Sequence, residues 1–318
     1  MKPESLLIIG GTGFFGKSIL KHLSINNSAN VKINEIFILS RGKLKLAIYN
    51  KKLKRKFKII KINSDILTIK NLPIVDYVIY AAILKNYKED YKAVKKYLNL
   101  AKKYHLKSKI LYISSGAIYG KQPNFISGFK ENYLQHNNKI SFKKGYKKEY
   151  SKIKLQNEKL FQKFAKRGGK VSIARCFSFV GEYLPMNSHY VLGNFIKNIL
   201  NYKDIDIKAD YPVVRSYMHE EDLVRWLLRI LNYSNKDCPI YNVGSDDSIS
   251  IHKLARLLAK KYDLDAHFHN INISKVILDK YIPNIHKAKK ELKLTNNYSS
   301  LGAIIKTINL LKKNEKIN

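Results

Sequence analysis

The sequence predicts an α/β fold, a doubly wound parallel sheet followed by a smaller C-terminal module. Three observations carry that expectation. Short apolar runs alternate with longer helical patterns through the first half of the chain, which is the signature of successive βαβ units. The runs are almost continuously apolar, as strands buried on both faces must be. Of the 318 residues, 45% are hydrophobic, enough to build a substantial core in spite of the heavy charge.

The elements follow in order. Leu6 to Ile9 reads as a strand, and the turn Gly10-Gly11-Thr12-Gly13-Phe14-Phe15-Gly16 opens a helix from about Phe14 to Leu23. Ile36 to Leu39, Lys58 to Ile62 and Tyr77 to Ala81 read as the second, third and fourth strands. A helix is expected over roughly Tyr87 to His105, with Ala93, Tyr97, Leu100, Ala101 and Tyr104 on one face. Ile110 to Ser114 is a fifth strand, Gly120 to Gly145 a long loop of the kind that is usually functional, Tyr146 to Lys166 a helix and Lys170 to Ala174 a sixth strand. After Arg175 the rhythm changes. Gly181, Pro185, Gly193 and Pro212 punctuate shorter helices, with Leu223 to Leu231 and Leu254 to Tyr262 helical further on, and the segment reads as a module closing over the sheet. No internal repeat or low-complexity linker interrupts it.

Charge narrows the function classes. Sixty Lys and Arg against 24 Asp and Glu leave a formal net charge of +36. A nucleic-acid footprint would gather that charge on one face. Here Lys is interleaved with Asn, Ile and Tyr in nearly every segment, and the densest run, Lys43 to Lys61, is one loop and strand. The expectation is a compositional surface bias, with nucleic acid an unlikely partner and an anionic small ligand favoured by the field. No run of about eighteen uncharged apolar residues is present to span a bilayer, and the N-terminus runs into a strand without the features of an export signal, so the cytosol is the expected compartment. Cys176 and Cys238, far apart, form neither a disulfide framework nor a metal-ligand cluster and are expected to be reduced and inert.

The glycine-rich turn sits directly after a strand and opens a helix, the context in which it binds a dinucleotide. Gly10 permits the tight turn, Gly13 lets a pyrophosphate approach the backbone, and Gly16 lets the helix pack closely. The helix start at Phe14 and Phe15 offers N–H groups and a positive dipole end to the phosphates. A carboxylate at the end of the second strand would bind the ribose 2′-hydroxyl and select NAD. The chain has Leu39-Ser40-Arg41-Gly42 there. Arg41 either accommodates a 2′-phosphate or faces solvent, so NAD and NADP both stand. Asp65-Ile66 and Ala81-Ala82 lie at the carboxyl edge of the sheet, where such folds bind ligands.

Tyr150 and Lys154 are four apart in the expected helix and share one face. An ammonium nearby favours the phenolate and brings the Tyr closer to working pH. Ser115, at the end of the fifth strand, could then orient the substrate oxygen that exchanges the proton. Tyr and Lys are abundant enough for such pairs to arise by chance; their order after a complete dinucleotide half-site is what distinguishes this one.

With those residues in place the chain resembles an extended short-chain dehydrogenase/reductase of the nucleotide-sugar epimerase/dehydratase branch over nearly its whole length. The resemblance rests on Gly10, Gly13 and Gly16, on Ser115 four residues before Tyr119-Gly120, and on Tyr150 and Lys154. Arg175-Cys176-Phe177-Ser178-Phe179-Val180-Gly181 is similar to the family's Arg-x-x-Asn-x-x-Gly strand end, with Ser178 in place of Asn. Arg215 to Asp222 resembles the segment whose Arg contacts the nucleotide diphosphate, and Tyr241-Asn242-Val243-Gly244 the strand that follows it. The resemblance implies a Rossmann-like NAD(P)-binding domain over residues 1–178 and a mainly substrate-binding module over 179–318, with returns to the sheet at about 213–245. It implies catalysis by Ser115, Tyr150 and Lys154, with Lys154 also on the nicotinamide ribose. It implies substrate contacts from Asn194 and Arg215, Arg215 having a surface ion pair with Glu220 or Asp222 as its alternative. A homodimer built on the helices over 87–105 and 146–166 is a further implication.

Departures are equally informative. The family's 4,6-dehydratases carry Asp-Glu where this chain has Gly116-Ala117, and its decarboxylases a Glu at Ala117; neither residue here can move a proton. The expected function is therefore an NAD(P)-dependent nucleotide-sugar epimerase or a 4-keto reductase/dehydrogenase. The alternatives are a dehydratase with atypical acid and base, or a cofactor-binding regulatory or RNA-associated protein without turnover.

Overall fold

Apolar runs become strands where predicted, buried except for the sheet-edge strand over residues 58–63. The computed structural model describes residues 4–25, 33–42, 53–84, 86–136, 146–186, 191–209, 211–268 and 278–315. Its first strands are β1 (Glu4–Ile9), β2 (Ile33–Ser40), β3 (Lys58–Asn63), β4 (Tyr77–Tyr80), β5 (Lys109–Ser115) and β6 (Lys170–Cys176), and the helices between them are α1 (Phe14–Ile25), α2 (Tyr87–Tyr104), the short α3 (Tyr133–His136) and α4 (Tyr146–Ala165). Later come β7 (Phe179–Val180), α5 (Val191–Leu200), β8 (Ile205–Ile207), β9 (Val213–Ser216), β10 (Met218–His219), α6 (Glu220–Asn232), β11 (Ile240–Val243), β12 (Ser248–Ser250), α7 (Ile251–Tyr262), β13 (Ala266–Phe268), β14 (Asp279–Tyr281), α8 (His286–Leu292) and α9 (Ser300–Glu315). The central sheet has seven strands in the order β11-β6-β5-β4-β1-β2-β3, and β1 to β6 pair in parallel throughout. The order reverses direction at β1, the topological switch point at which such sheets bind ligands.

The chain divides into two compact units, one of residues 1–120, 142–176 and 224–241, the other of 121–141, 177–223 and 242–318. In the first, α2 and α4 cover one face of the sheet. Aromatic rings fill that layer: Tyr112 stacks on Phe161 at 4.4 Å between centroids and Tyr80 tilts against Tyr97 at 5.1 Å. Helix α2 begins where Asn86 accepts the amides of Lys88 and Glu89 at 3.0 and 3.4 Å, and acidic residues in the first turn with Lys102 and Lys103 in the last complement its dipole. Its buried stripe is Ala93, Val94, Tyr97, Leu98 and Ala101. Leu100 and Tyr104, expected on that face, lie at its partly exposed margin because the sheet takes the stripe rotated by one position.

The second unit has its own core of α5, α7 and α9, with Leu192, Phe195, Leu254, Leu258 and Ile304 buried. Small sheets β12-β9-β14, β13-β8 and β10-β7 brace it. The stretch expected as one long loop over 120–145 follows a 3-10 turn at Gly116–Tyr119 and contains α3; residues 137–145 lie outside the described residues. So does most of the Lys-rich run, over 43–52.

Candidate active site

The glycine turn is shaped by close backbone packing. Gly10 has φ +93°, and a Cβ there would stand 2.7 Å from the Ala82 backbone nitrogen. A Cβ on Gly16 would meet the Gly11 Cα at 2.4 Å, so Gly16 closes the turn on itself more than the helix on the strand. Gly13 is exposed, and among the described residues a Cβ on it would meet nothing nearer than the Gly10 carbonyl at 3.6 Å. First-turn amides of a helix lack intrahelical acceptors, and no acidic side chain occupies the first turn of α1. Such an end suits a pyrophosphate, and the residues present fit a dinucleotide.

Beside this turn β2 ends in Ser40, whose hydroxyl donates to the Gly42 carbonyl at 3.2 Å. Arg41 is 63% exposed and reaches the Asp65 carboxylate at 3.4 Å. Asp65 is fixed by accepting the Leu67 amide at 2.9 Å, and Ile66 is buried behind it. Ala81 and Ala82 continue β4 past its last ladder residue, with the Ala81 amide on the Ile9 carbonyl at 2.9 Å.

Ser115 ends β5, paired in register with Cys176 of β6. Its Oγ accepts the Ala117 amide at 3.2 Å and caps the 3-10 turn, leaving the hydroxyl proton to be donated. Gly116 and Ala117 sit within that turn and present no ionisable group. Tyr150 and Lys154 are one turn apart on α4, in the same unit as Ser115 and the glycine turn. Tyr150 is half-buried, its ring centroid 6.1 Å from that of Tyr87. Lys154 is buried; its Nζ donates to the Ile113 carbonyl at 3.0 Å and lies 5.0 Å from the Tyr112 ring centroid. Burial pushes its ammonium below the usual lysine range, opposed by the nearby carboxylate of Asp90 and more weakly by Cys176 and Glu158.

Around this pair lies a buried polar network that the sequence reading did not find. Asp90 of α2 accepts the Leu84 amide at 2.9 Å and the Asn157 side-chain amide at 3.0 Å. Glu158 accepts from Ser114 Oγ at 2.5 Å and from Arg175 Nη2 at 2.8 Å and Nε at 3.1 Å. Arg175 Nη1 donates to the Tyr119 hydroxyl at 2.8 Å. A signal was present: 154, 157 and 158 share a helix face, and Asp90 falls on the same apolar face as Ala93 and Tyr97.

The other candidates belong to the second unit. Asn194 is exposed on α5, on the side away from Leu192, Phe195 and Ile196. Arg215 of β9 bonds to the Asp279 carboxylate at 3.0 Å, the Asp279 carbonyl at 2.6 Å and the Val214 carbonyl at 2.9 Å. The expected ion-pair alternative was thus right in kind and wrong in partner, because β14 pairs in parallel with β9 and brings Asp279 beside it. Cys176 and Cys238 are free and buried, and burial pushes both thiols up, Cys238 to about 12. Among the described residues no helix is long and apolar enough to cross a membrane.

Comparison with known proteins agrees with this geometry. Residues 6–244 match the sequence profile of the NAD dependent epimerase/dehydratase family. UDP-glucuronic acid decarboxylase 1 of Xenopus tropicalis is 27% identical over 193 residues, 60% of this chain and 44% of that protein, so the match spans less than half of the relative. Among solved structures, UDP-glucose 4-epimerase of Thermotoga maritima, determined with UDP-glucose, superposes with a TM-score of 0.76 at 19% identity, covering 98% of this chain and 99% of that one. A dTDP-glucose 4,6-dehydratase of Streptomyces venezuelae with NAD bound gives a TM-score of 0.80 at 16% identity and 98% coverage of each chain. At such identities the likeness shows the fold.

Proposed function

The chain belongs to the NAD dependent epimerase/dehydratase family, and we propose that it is an NAD(P)-dependent epimerase or 4-keto reductase/dehydrogenase acting on a nucleotide-linked sugar. The observation that carries this reading is a complete Ser115, Tyr150 and Lys154 set in the unit that holds the glycine turn, followed by Gly116 and Ala117. A bound nicotinamide dinucleotide supplies the acceptor and donor of hydride. Gly10, Gly13 and Gly16 with the start of α1 hold its pyrophosphate, Ser40 and Arg41 the adenosine ribose end, and Asp65, Ile66, Ala81 and Ala82 the adenine side of the cleft.

The rest is done by the side chains. The Tyr150 phenolate takes the proton from the reacting sugar hydroxyl as the carbon is oxidised, and returns it on reduction. Lys154 holds the phenolate by its charge and the nicotinamide ribose by hydrogen bonds. Ser115 donates to the reacting oxygen and fixes its direction. Arg215 and Asn194 are the substrate ligands, Arg215 exchanging Asp279 for the diphosphate. Removal of water or carbon dioxide needs a further acid or base next to Ser115, and Gly116 and Ala117 supply none; this favours transfer at one sugar carbon over dehydration or decarboxylation.

The test is incubation with a panel of UDP-, dTDP-, GDP- and CDP-sugars with NAD or NADP, followed by mass and NMR analysis. An isomer of unchanged mass identifies an epimerase, and gain or loss of two hydrogens a reductase or dehydrogenase. Loss of water or of carbon dioxide refutes the proposal. Sedimentation of the purified protein tests the accompanying expectation of a homodimer.

A further inference from the structure

We propose that Asp90 is the positioning residue of the Tyr150–Lys154 pair: its buried carboxylate is the countercharge that keeps the Lys154 side chain a cation. The inference rests on the reading of Tyr150 and Lys154 as the acid–base pair, and extends it to a residue on a different helix.

Three observations support it. Asp90 is 2% exposed, in the first turn of α2, and a carboxylate so buried requires compensation. Its two oxygens are directed by separate groups, Oδ1 by the Leu84 amide and Oδ2 by the Asn157 side chain, and Asn157 is itself fully buried three residues after Lys154 on α4. The same helix turn that carries Asp90 also carries Tyr87, whose ring lies against Tyr150. One turn of α2 therefore meets Tyr150 through Tyr87 and, through Asp90, the Asn157 side chain one helical turn beyond Lys154.

Among the described residues Asp90 is the strongest opposite charge acting on Lys154. Lys154 donates to a carbonyl, Ile113, which is neutral. From β6 it is faced by Cys176, whose thiol burial keeps protonated, and from β5 by the Tyr112 ring, whose hydroxyl burial likewise keeps neutral. Glu158, one turn further along α4, is engaged by the Arg175 guanidinium through both oxygens. The Tyr80 hydroxyl from β4 is also kept neutral by burial and by Asp90 itself. Without Asp90, desolvation would drive Lys154 towards the amine, and a neutral amine does not stabilise a phenolate. The loss of Asp90's own repulsion on the phenolate acts in the opposite sense, so the expected midpoint shift is the difference between the two effects.

The test titrates Tyr150 in the protein without cofactor, by near-ultraviolet tyrosinate absorbance. With 22 tyrosines in the chain, subtracting the matching Tyr150→Phe protein isolates one phenol. Asp90→Asn is expected to raise the Tyr150 midpoint by about one pH unit, a tenfold loss of phenolate at neutral pH. The exchange Asp90→Asn with Asn157→Asp keeps a carboxylate against an amide and returns the charge to the same pocket, so it is expected to restore the wild-type midpoint, and it keeps the question decidable if Asp90→Asn alone does not fold. A midpoint unmoved or lowered in Asp90→Asn, or one left high in the exchanged protein, overturns the assignment. Because no turnover is measured, this failure is separate from failure of the sugar-nucleotide reading, which the substrate panel decides.

Discussion

Replacing Glu158 by Gln strips one charge from the buried pair with Arg175 while leaving the shape almost unchanged. The two side chains are 1% and 5% exposed, so neither charge is screened by water. Glu158 accepts from Arg175 Nη2 at 2.8 Å and from Nε at 3.1 and 3.2 Å, and from Ser114 at 2.5 Å. A Gln can accept on one oxygen, but its NH₂ would face guanidinium donors, and the Arg175 charge would lose its carboxylate while keeping the Tyr119 hydroxyl and a cation–π contact at 5.1 Å. Breaking one side of a buried pair costs ~3–5 kcal/mol, a large part of a total stability of about 5–15 kcal/mol. At roughly 2–4 °C per kcal/mol for a unit of this size, the melting temperature falls by about 6–20 °C. Circular dichroism melts with urea titrations on the same samples measure it. Glu158→Leu combined with Arg175→Met removes both charges and is expected to recover most of the loss. A single variant melting within about 2 °C of wild type, or a double variant no better than the single, refutes the claim that loss of the buried countercharge is what destabilises the fold.

Other consequences are simpler to state. Tyr150→Phe should lose at least about a hundredfold in kcat with cofactor affinity unchanged by isothermal titration; full activity removes Tyr150 from the chemistry. Gly10→Ala forces a Cβ at φ +93° into the Ala82 backbone and should lower stability by about 1–3 kcal/mol in urea titration, abolishing cofactor binding with it. Arg41→Ala should weaken NADP about tenfold relative to NAD in fluorescence titration, and equal losses for both would assign Arg41 to solvent. Burial opposes ionisation of Glu221, but hydrogen bonds from Lys306 and Tyr298 outweigh it and hold the carboxyl below its ordinary 4.5. A depressed acid stabilises the fold above its unfolded value and loses that contribution as pH falls through the folded one. Lys306→Met should therefore flatten the acid limb of the stability profile below pH 4.5, by less than ~1 kcal/mol because both side chains are partly exposed.

Local pattern carried the strands well. β1, β2, β4, β5 and β6 are buried apolar runs, and that property is visible in a window of a few residues. The glycine turn and the order of Ser115, Tyr150 and Lys154 were equally legible, because each depends on spacing along one element. Less legible was the rotation of the α2 stripe by one position, since Leu98 and Leu100 are equally apolar and only the sheet selects between them. Asp90 and Glu158 drew no reading from the sequence, and Arg175 drew one only as part of a strand-end motif. Their burial rests on contacts that span 67 residues between Asp90 and Asn157 and 17 between Glu158 and Arg175, and no window contains both partners. Arg215 shows the same limit: its partner was sought nearby at Glu220 and Asp222 and found 64 residues away at Asp279.

By itself, then, the amino-acid order dictated a parallel α/β sheet, a strand–glycine–helix turn shaped for a pyrophosphate, and a Tyr and Lys one helical turn apart, because backbone sterics and side-chain periodicity act over a few residues. Only the tertiary structure decided which of the many charges are desolvated and against what. That selection depends on strand register and helix packing between distant segments, and in a chain carrying +36 it sets Asp90, Glu158 and Arg175 apart from surface charges of identical type.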